Sequence, residues 1–277
     1  MRISAFFMFA LLATRSVVAA NNSLTDAQLL DIKFDQRLGS QVSPELVFCD
    51  ETGSQVQLGD YFGRRPIILV LGYYRCPMLC SLLLDGMTDA LRNLRVSAGK
   101  DYEVIFVSID PTERPPLAAQ KKTIYLRIYG RKGSENGWHF LTAATVPPDT
   151  TGPPPQDKAI QTLANEIGFR FAYDSGLRQF AHPAGLIVLT PQGRVAHYLF
   201  GVTFSSDQMV AALHDAGAKK IGSPIQEFIL LCCQYSPLRG KYGHLIMEMV
   251  RAGGVATVIA LGVLVFRPAR AKVEAPK

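Results

Sequence analysis

The apolar run Pro66-Ile67-Ile68-Leu69-Val70-Leu71-Gly72-Tyr73-Tyr74 leads directly into the dithiol segment Cys76-Pro77-Met78-Leu79-Cys80. The run is short, rich in β-branched residues, preceded by Arg64-Arg65 and followed by a Cys-Pro turn, which predicts a buried strand. From Met78 to Leu94 apolar residues recur at helical spacing, and Pro77 suits a first helical turn, where its missing N–H is no loss. Two cysteines four apart around a helix start share one face near the positive end of the helix dipole. That setting favours the thiolate, the form that ligates metals and exchanges disulfides. The competing reading, two inert buried thiols, makes an odd use of a strand–helix junction.

The remaining segments alternate in the same way. A hairpin is expected from 43–53 and 56–61, a second apolar strand over 102–110 and a helix from Pro116 to about Tyr129. Trp138–Thr142 reads as a short extended segment, 146–156 as an exposed Pro-rich loop, and Ile160–Ile167 as helix. Phe169–Tyr173 alternates as a strand does. Gly185–Leu189 and Arg194–Phe200 flank the turn Thr190-Pro191-Gln192-Gly193, and a last helix covers about Ser206–Ala218. Strands alternating with helices, then a closing hairpin and helix, give an α/β sandwich. Residues 21 to about 45 are polar and read as an N-terminal arm.

The two ends account for an apolar composition, with 48% hydrophobic and 19% charged residues in a chain of 277. Met1-Arg2, an apolar stretch and Val18-Ala19-Ala20 are expected to form a signal peptide over 1–20. A juxtamembrane segment over 221–244 and a transmembrane helix over 245–267 are expected at the other end. The uncharged stretch 252–266 is short for a bilayer core of about 30 Å, so this span would draw on its flanks. Arg267, Arg270 and Lys272 follow, which would leave a cytoplasmic tail over 268–277 and the globular domain, 21–220, on the extracytoplasmic (periplasmic) side of the cytoplasmic membrane. A net charge of +6 does not indicate nucleic acid: several of these charges lie in the two ends, and no basic stripe interleaved with aromatics appears elsewhere.

A strand, a dithiol at a helix start, then βα and a closing hairpin and helix is the thioredoxin arrangement, with three residues rather than two between the cysteines. The segments 72–80, Val107-Ser108-Ile109-Asp110-Pro111, Gly137–Thr142 and Phe180-Ala181-His182-Pro183-Ala184-Gly185 together resemble the Sco/SenC family of copper proteins. The resemblance spans about residues 40–218. It implies a thioredoxin-like sandwich, copper bound by Cys76, Cys80 and His182, and a role in building the copper site of cytochrome c oxidase subunit II. Other copper or thiol carriers would be further partners. Met78 and Ser81 depart from the family's usual Asp and Pro, and a C-terminal anchor departs from its N-terminal one.

Two thiolates suit Cu(I), and an added imidazole admits Cu(II). A closed structural zinc site would want a fourth ligand. His139, His197, His214 and His244 are read as structural or surface residues, and Cys49 as buried and inert. Met78 is read as packing rather than as a weak copper ligand, and Asp110 as either a turn former or a neighbour that tunes the thiols. The adjacent pair Cys232 and Cys233 is read as structural, because neighbouring thiols chelate one metal poorly. The expected function is a metallochaperone without turnover. The rival is a membrane-tethered thiol–disulfide oxidoreductase that uses Cys76 and Cys80; a copper sensor would have the same ligands.

Overall fold

The computed structural model describes residues 23–77, 79–145 and 153–224, together with 249, 252–254 and 257. Nine strands and five helices follow one another in these residues: α1 (Asp26–Leu30), β1 (Val47–Cys49), β2 (Gln55–Gln57), β3 (Ile67–Gly72), α2 (Leu79–Arg92), β4 (Glu103–Ser108), α3 (Pro115–Tyr129), β5 (Trp138–Ala143), α4 (Lys158–Glu166), β6 (Ala172–Asp174), β7 (Gln179–Ala181), β8 (Gly185–Leu189), β9 (Val195–Phe200) and α5 (Ser206–Gly217). Seven strands form one sheet in the order β2-β1-β5-β4-β3-β8-β9, and β6 and β7 form a separate ribbon. The central β3, β4 and β5 run parallel, while β8 is antiparallel to β3 with Leu69 opposite Ile187.

Every residue of β3 and β4 is buried, because helices cover both faces of a parallel core; this is why β3 and the Val104–Val107 stretch of β4 read as apolar runs. The side-chain alternation divides the interior. Ile68, Val70, Val104 and Phe106 face α2, α3 and α5, whereas Leu69, Leu71, Ile105 and Val107 pack against α4 and the N-terminal arm. The helices end where local chemistry ends them. Asp157 and Ser205 cap α4 and α5 through their side chains, and Pro115 opens α3, which Gly130 closes at φ 70°.

The polar arm packs into the domain: Leu29, Ile32, Phe34 and Val42 are buried, and the Phe34 ring lies 5.4 Å from Phe169 and 5.6 Å from Tyr198. Its apolar residues are too sparse to show a period and are buried by partners far along the chain. The strand expected at Phe169–Tyr173 is displaced to Ala172–Asp174, where β7 offers it a ladder. The C-terminal transmembrane anchor is corrected: among the described residues no helix is long and apolar enough to cross a membrane. The uncharged run 252–266 falls short of the ~20 residues that a span requires, and Arg251 and Glu248 interrupt its extension. Most of 245–267 lies outside the described residues, as do the expected leader 1–20, the tail 268–277, Met78, Cys232, Cys233 and His244.

Candidate metal centre

The centre lies where β3 gives way to α2. The chain leaves Gly72, turns at 73–76 with the Cys76 amide donating to the Tyr73 carbonyl (3.3 Å), and enters α2 at Leu79. Cys76 thus precedes the helix and Cys80 sits in its first turn; both are buried. His182 arrives from the other direction, in the short link between β7 and β8. Because β8 runs antiparallel to β3, its first residue lies at the end of the sheet where β3 finishes. A separation of 102 residues in sequence closes to 3.0 Å between His182 Nε2 and Cys80 Sγ. One donor atom from each of Cys76, Cys80 and His182 lies within 4.8 Å of the others.

The ring is held for this contact. His182 Nδ1 donates to the Pro183 carbonyl at 2.9 Å, so Nε2 is the nitrogen left to face the thiols. Tyr73 and Phe169 flank the imidazole at 5.8 and 5.9 Å between centroids. Burial opposes a positive charge on the ring, but the Cys80 thiolate and hydrogen bonds to Cys76, Cys80 and Pro183 outweigh it and lift its pKa well above the usual range. Gly72 provides the room: a β-carbon there would stand 3.2 Å from Cys80 Sγ and 3.1 Å from Phe106.

Glu113, a residue the sequence did not single out, is fully buried beside this loop. Its carboxylate accepts the Tyr74 amide (2.7 Å), the Arg75 amide (2.6 Å) and the Ser108 hydroxyl (2.6 Å). Burial raises its pKa to about 7 even though these three hydrogen bonds pull it down. An acid whose pKa is raised on folding holds a proton that the unfolded chain has released. Glu113 therefore contributes stability in full below its ordinary value of 4.5, and loses it as pH rises towards about 7. Urea unfolding of wild type and Glu113→Gln between pH 4.5 and 7.5 should show the wild-type advantage shrinking with pH, by a few kcal/mol at most. A pH-independent difference would contradict the assignment.

The other candidates are placed elsewhere. Asp110 forms a turn, its Oδ1 accepting the Thr112 amide (2.9 Å) and hydroxyl (2.7 Å). His139 lies 3.3 Å from Glu103, and its ring centroid is 4.2 Å from that of Tyr61. His197 and His214 lie beside Asp215. Cys49 is half-buried on β1 rather than fully buried, with its thiol 3.8 Å from the Ala144 carbonyl; burial, then Asp50, raises its pKa.

Residues 34–137 match the model of the SCO1/SenC family. No curated protein sequence matches the chain. Among solved structures, an Aquifex aeolicus VF5 protein named as a candidate electron transfer protein is 27% identical at a TM-score of 0.54, over 65% of this chain and 95% of that one. BsSco, described as a member of the Sco family of cytochrome c oxidase assembly proteins, is 20% identical at a TM-score of 0.49, over 68% of this chain and 99% of that one. Copper-bound yeast Sco1 is 17% identical at 0.48, over 68% and 96%. Over residues 34–137 the chain is thus similar to the SCO1/SenC family. The family match takes in both cysteines and stops before His182, whose place in the cluster is a finding of the geometry.

Proposed function

We propose that this chain is a copper carrier that binds one ion on Cys76, Cys80 and His182 and serves the assembly of the copper site of cytochrome c oxidase subunit II. The convergence of two thiols and one oriented imidazole within 4.8 Å carries the reading. The sulfurs match soft Cu(I), the nitrogen makes Cu(II) accessible, and a three-donor set leaves a position through which a partner's ligand could take the ion. The thiols must lose their protons to bind, so uptake releases protons and fails once the two cysteines are joined as a disulfide.

The thiol–disulfide oxidoreductase remains the contrasting reading, and His182 separates the two, since a dithiol reductase has no need of a third ligand. Metal analysis and X-ray absorption of reduced wild type and His182→Ala test it. Wild type should hold one copper per chain with sulfur and nitrogen in its first shell. His182→Ala should keep Cu(I) on two sulfurs and lose the Cu(II) form. Wild-type Cu(II) binding in the variant would remove His182 from the site and favour the reductase.

A further inference from the structure

We infer that Glu113 is a positioning residue for the metal centre, its buried carboxylate holding the Cys76 loop in register with Cys80 and His182. The inference rests on the copper reading above and adds a part to it.

Burying a carboxylate is costly, and among the described residues no lysine, arginine or histidine forms a salt bridge with Glu113. What it has instead are two consecutive backbone amides, Tyr74 and Arg75, directly before Cys76. Two successive amides meet one carboxylate only where the chain is bent, and this bend is the 73–76 turn that delivers the first thiol. The turn is pinned further by the Tyr74 hydroxyl, which donates to the Leu141 carbonyl at 2.8 Å. The carboxylate itself is fixed from below. The Glu113 amide donates to the Asp110 carbonyl (3.1 Å), and Asp110 closes its own turn on Thr112. Asp110 therefore acts on the centre through Glu113. Cys80 and His182 come from a helix and a sheet-linked segment, whereas Cys76 stands on a loop, so it is the ligand whose position needs a separate support.

Glutamine keeps the size of Glu113 but turns an NH2 group towards an amide donor, leaving one buried N–H without an acceptor. Reduced full-length Glu113→Gln should bind Cu(I) about 10–100-fold more weakly than wild type, and the sulfur-to-copper absorption of its Cu(II) form should shift. In metal-free protein, alkylation of Cys76 should speed up relative to Cys80. Tyr129→Phe removes a buried hydroxyl that bonds the Ala98 amide (3.1 Å) and Tyr102 (2.9 Å) but neither Glu113 nor its supports, and should leave affinity, absorption and alkylation ratio as in wild type. The inference is overturned if Glu113→Gln unfolds more easily yet keeps all three wild-type readouts, or if Tyr129→Phe reproduces its effect. Should wild type bind no copper, the carrier reading fails, and the alkylation ratio alone decides for or against Glu113.

Discussion

Cys80→Ser should leave the reduced protein without a tight Cu(I) site. The substitution is nearly isosteric, so the side chain should keep its place in the first turn of α2, facing His182 Nε2 across the 3.0 Å gap. What changes is the donor. A serine hydroxyl stays protonated at neutral pH and its oxygen is hard, whereas the thiolate is soft and charged. The remaining Cys76 and His182 would be a single sulfur and a single nitrogen. Affinity should fall by more than the ~10–100-fold attached to loss of a supporting contact, because a ligand itself is removed. Cys76→Ser should behave alike. Competition with a Cu(I)-specific chelator dye reads the loss directly, and copper retained at wild-type levels by either variant would exclude that cysteine from the centre.

The two cysteines were legible because their meaning is local: four positions apart, after an apolar strand and before a helical period. The strands β3, β4 and β8 were legible for the same reason, each built on a short apolar run close to turn residues. His182 was different. A single histidine before a strand carries no pattern of its own, and only the resemblance of Phe180–Gly185 to a family segment pointed to it; the antiparallel pairing of β8 with β3 supplies the physical reason. Glu113 was not legible at all. Its partners are backbone amides 39 and 38 residues earlier, and an acidic residue after Asp-Pro-Thr reads in sequence as a solvated turn. How the arm at 23–45 packs was not legible on similar grounds, since Phe34 finds its aromatic neighbours more than a hundred positions away. The anchor failed in the opposite sense: an apolar run with basic residues after it suggested a span, while among the described residues no helix is long and apolar enough to be one.

Gly86→Ala should cost the domain stability, although alanine is the better helix former by about 1 kcal/mol in an isolated helix. Gly86 lies in the middle of α2, and a β-carbon there would stand 1.9 Å from the Val202 carbonyl oxygen and 3.0 Å from its carbon. The obstacle is backbone, so no rotamer change relieves it. Nor can the 201–204 segment simply move out. It joins β9 to α5, Phe204 is buried, and the Gly201 amide donates to the Ala184 carbonyl at 3.0 Å, two residues beyond His182. Overpacking of this kind costs ~1–3 kcal/mol or more, which for a domain of this size lowers the melting temperature by about 4–10 °C. The same substitution at Gly217, the last residue of α5, meets nothing closer than Pro66 at 3.8 Å and should be neutral or slightly stabilising. Thermal unfolding of the two reduced, metal-free variants should therefore move in different directions. Equal melting temperatures would mean that α2 and the 201–204 segment do not approach this closely in solution, and that the link from the helix carrying Cys80 to the segment carrying His182 is looser than this spacing implies.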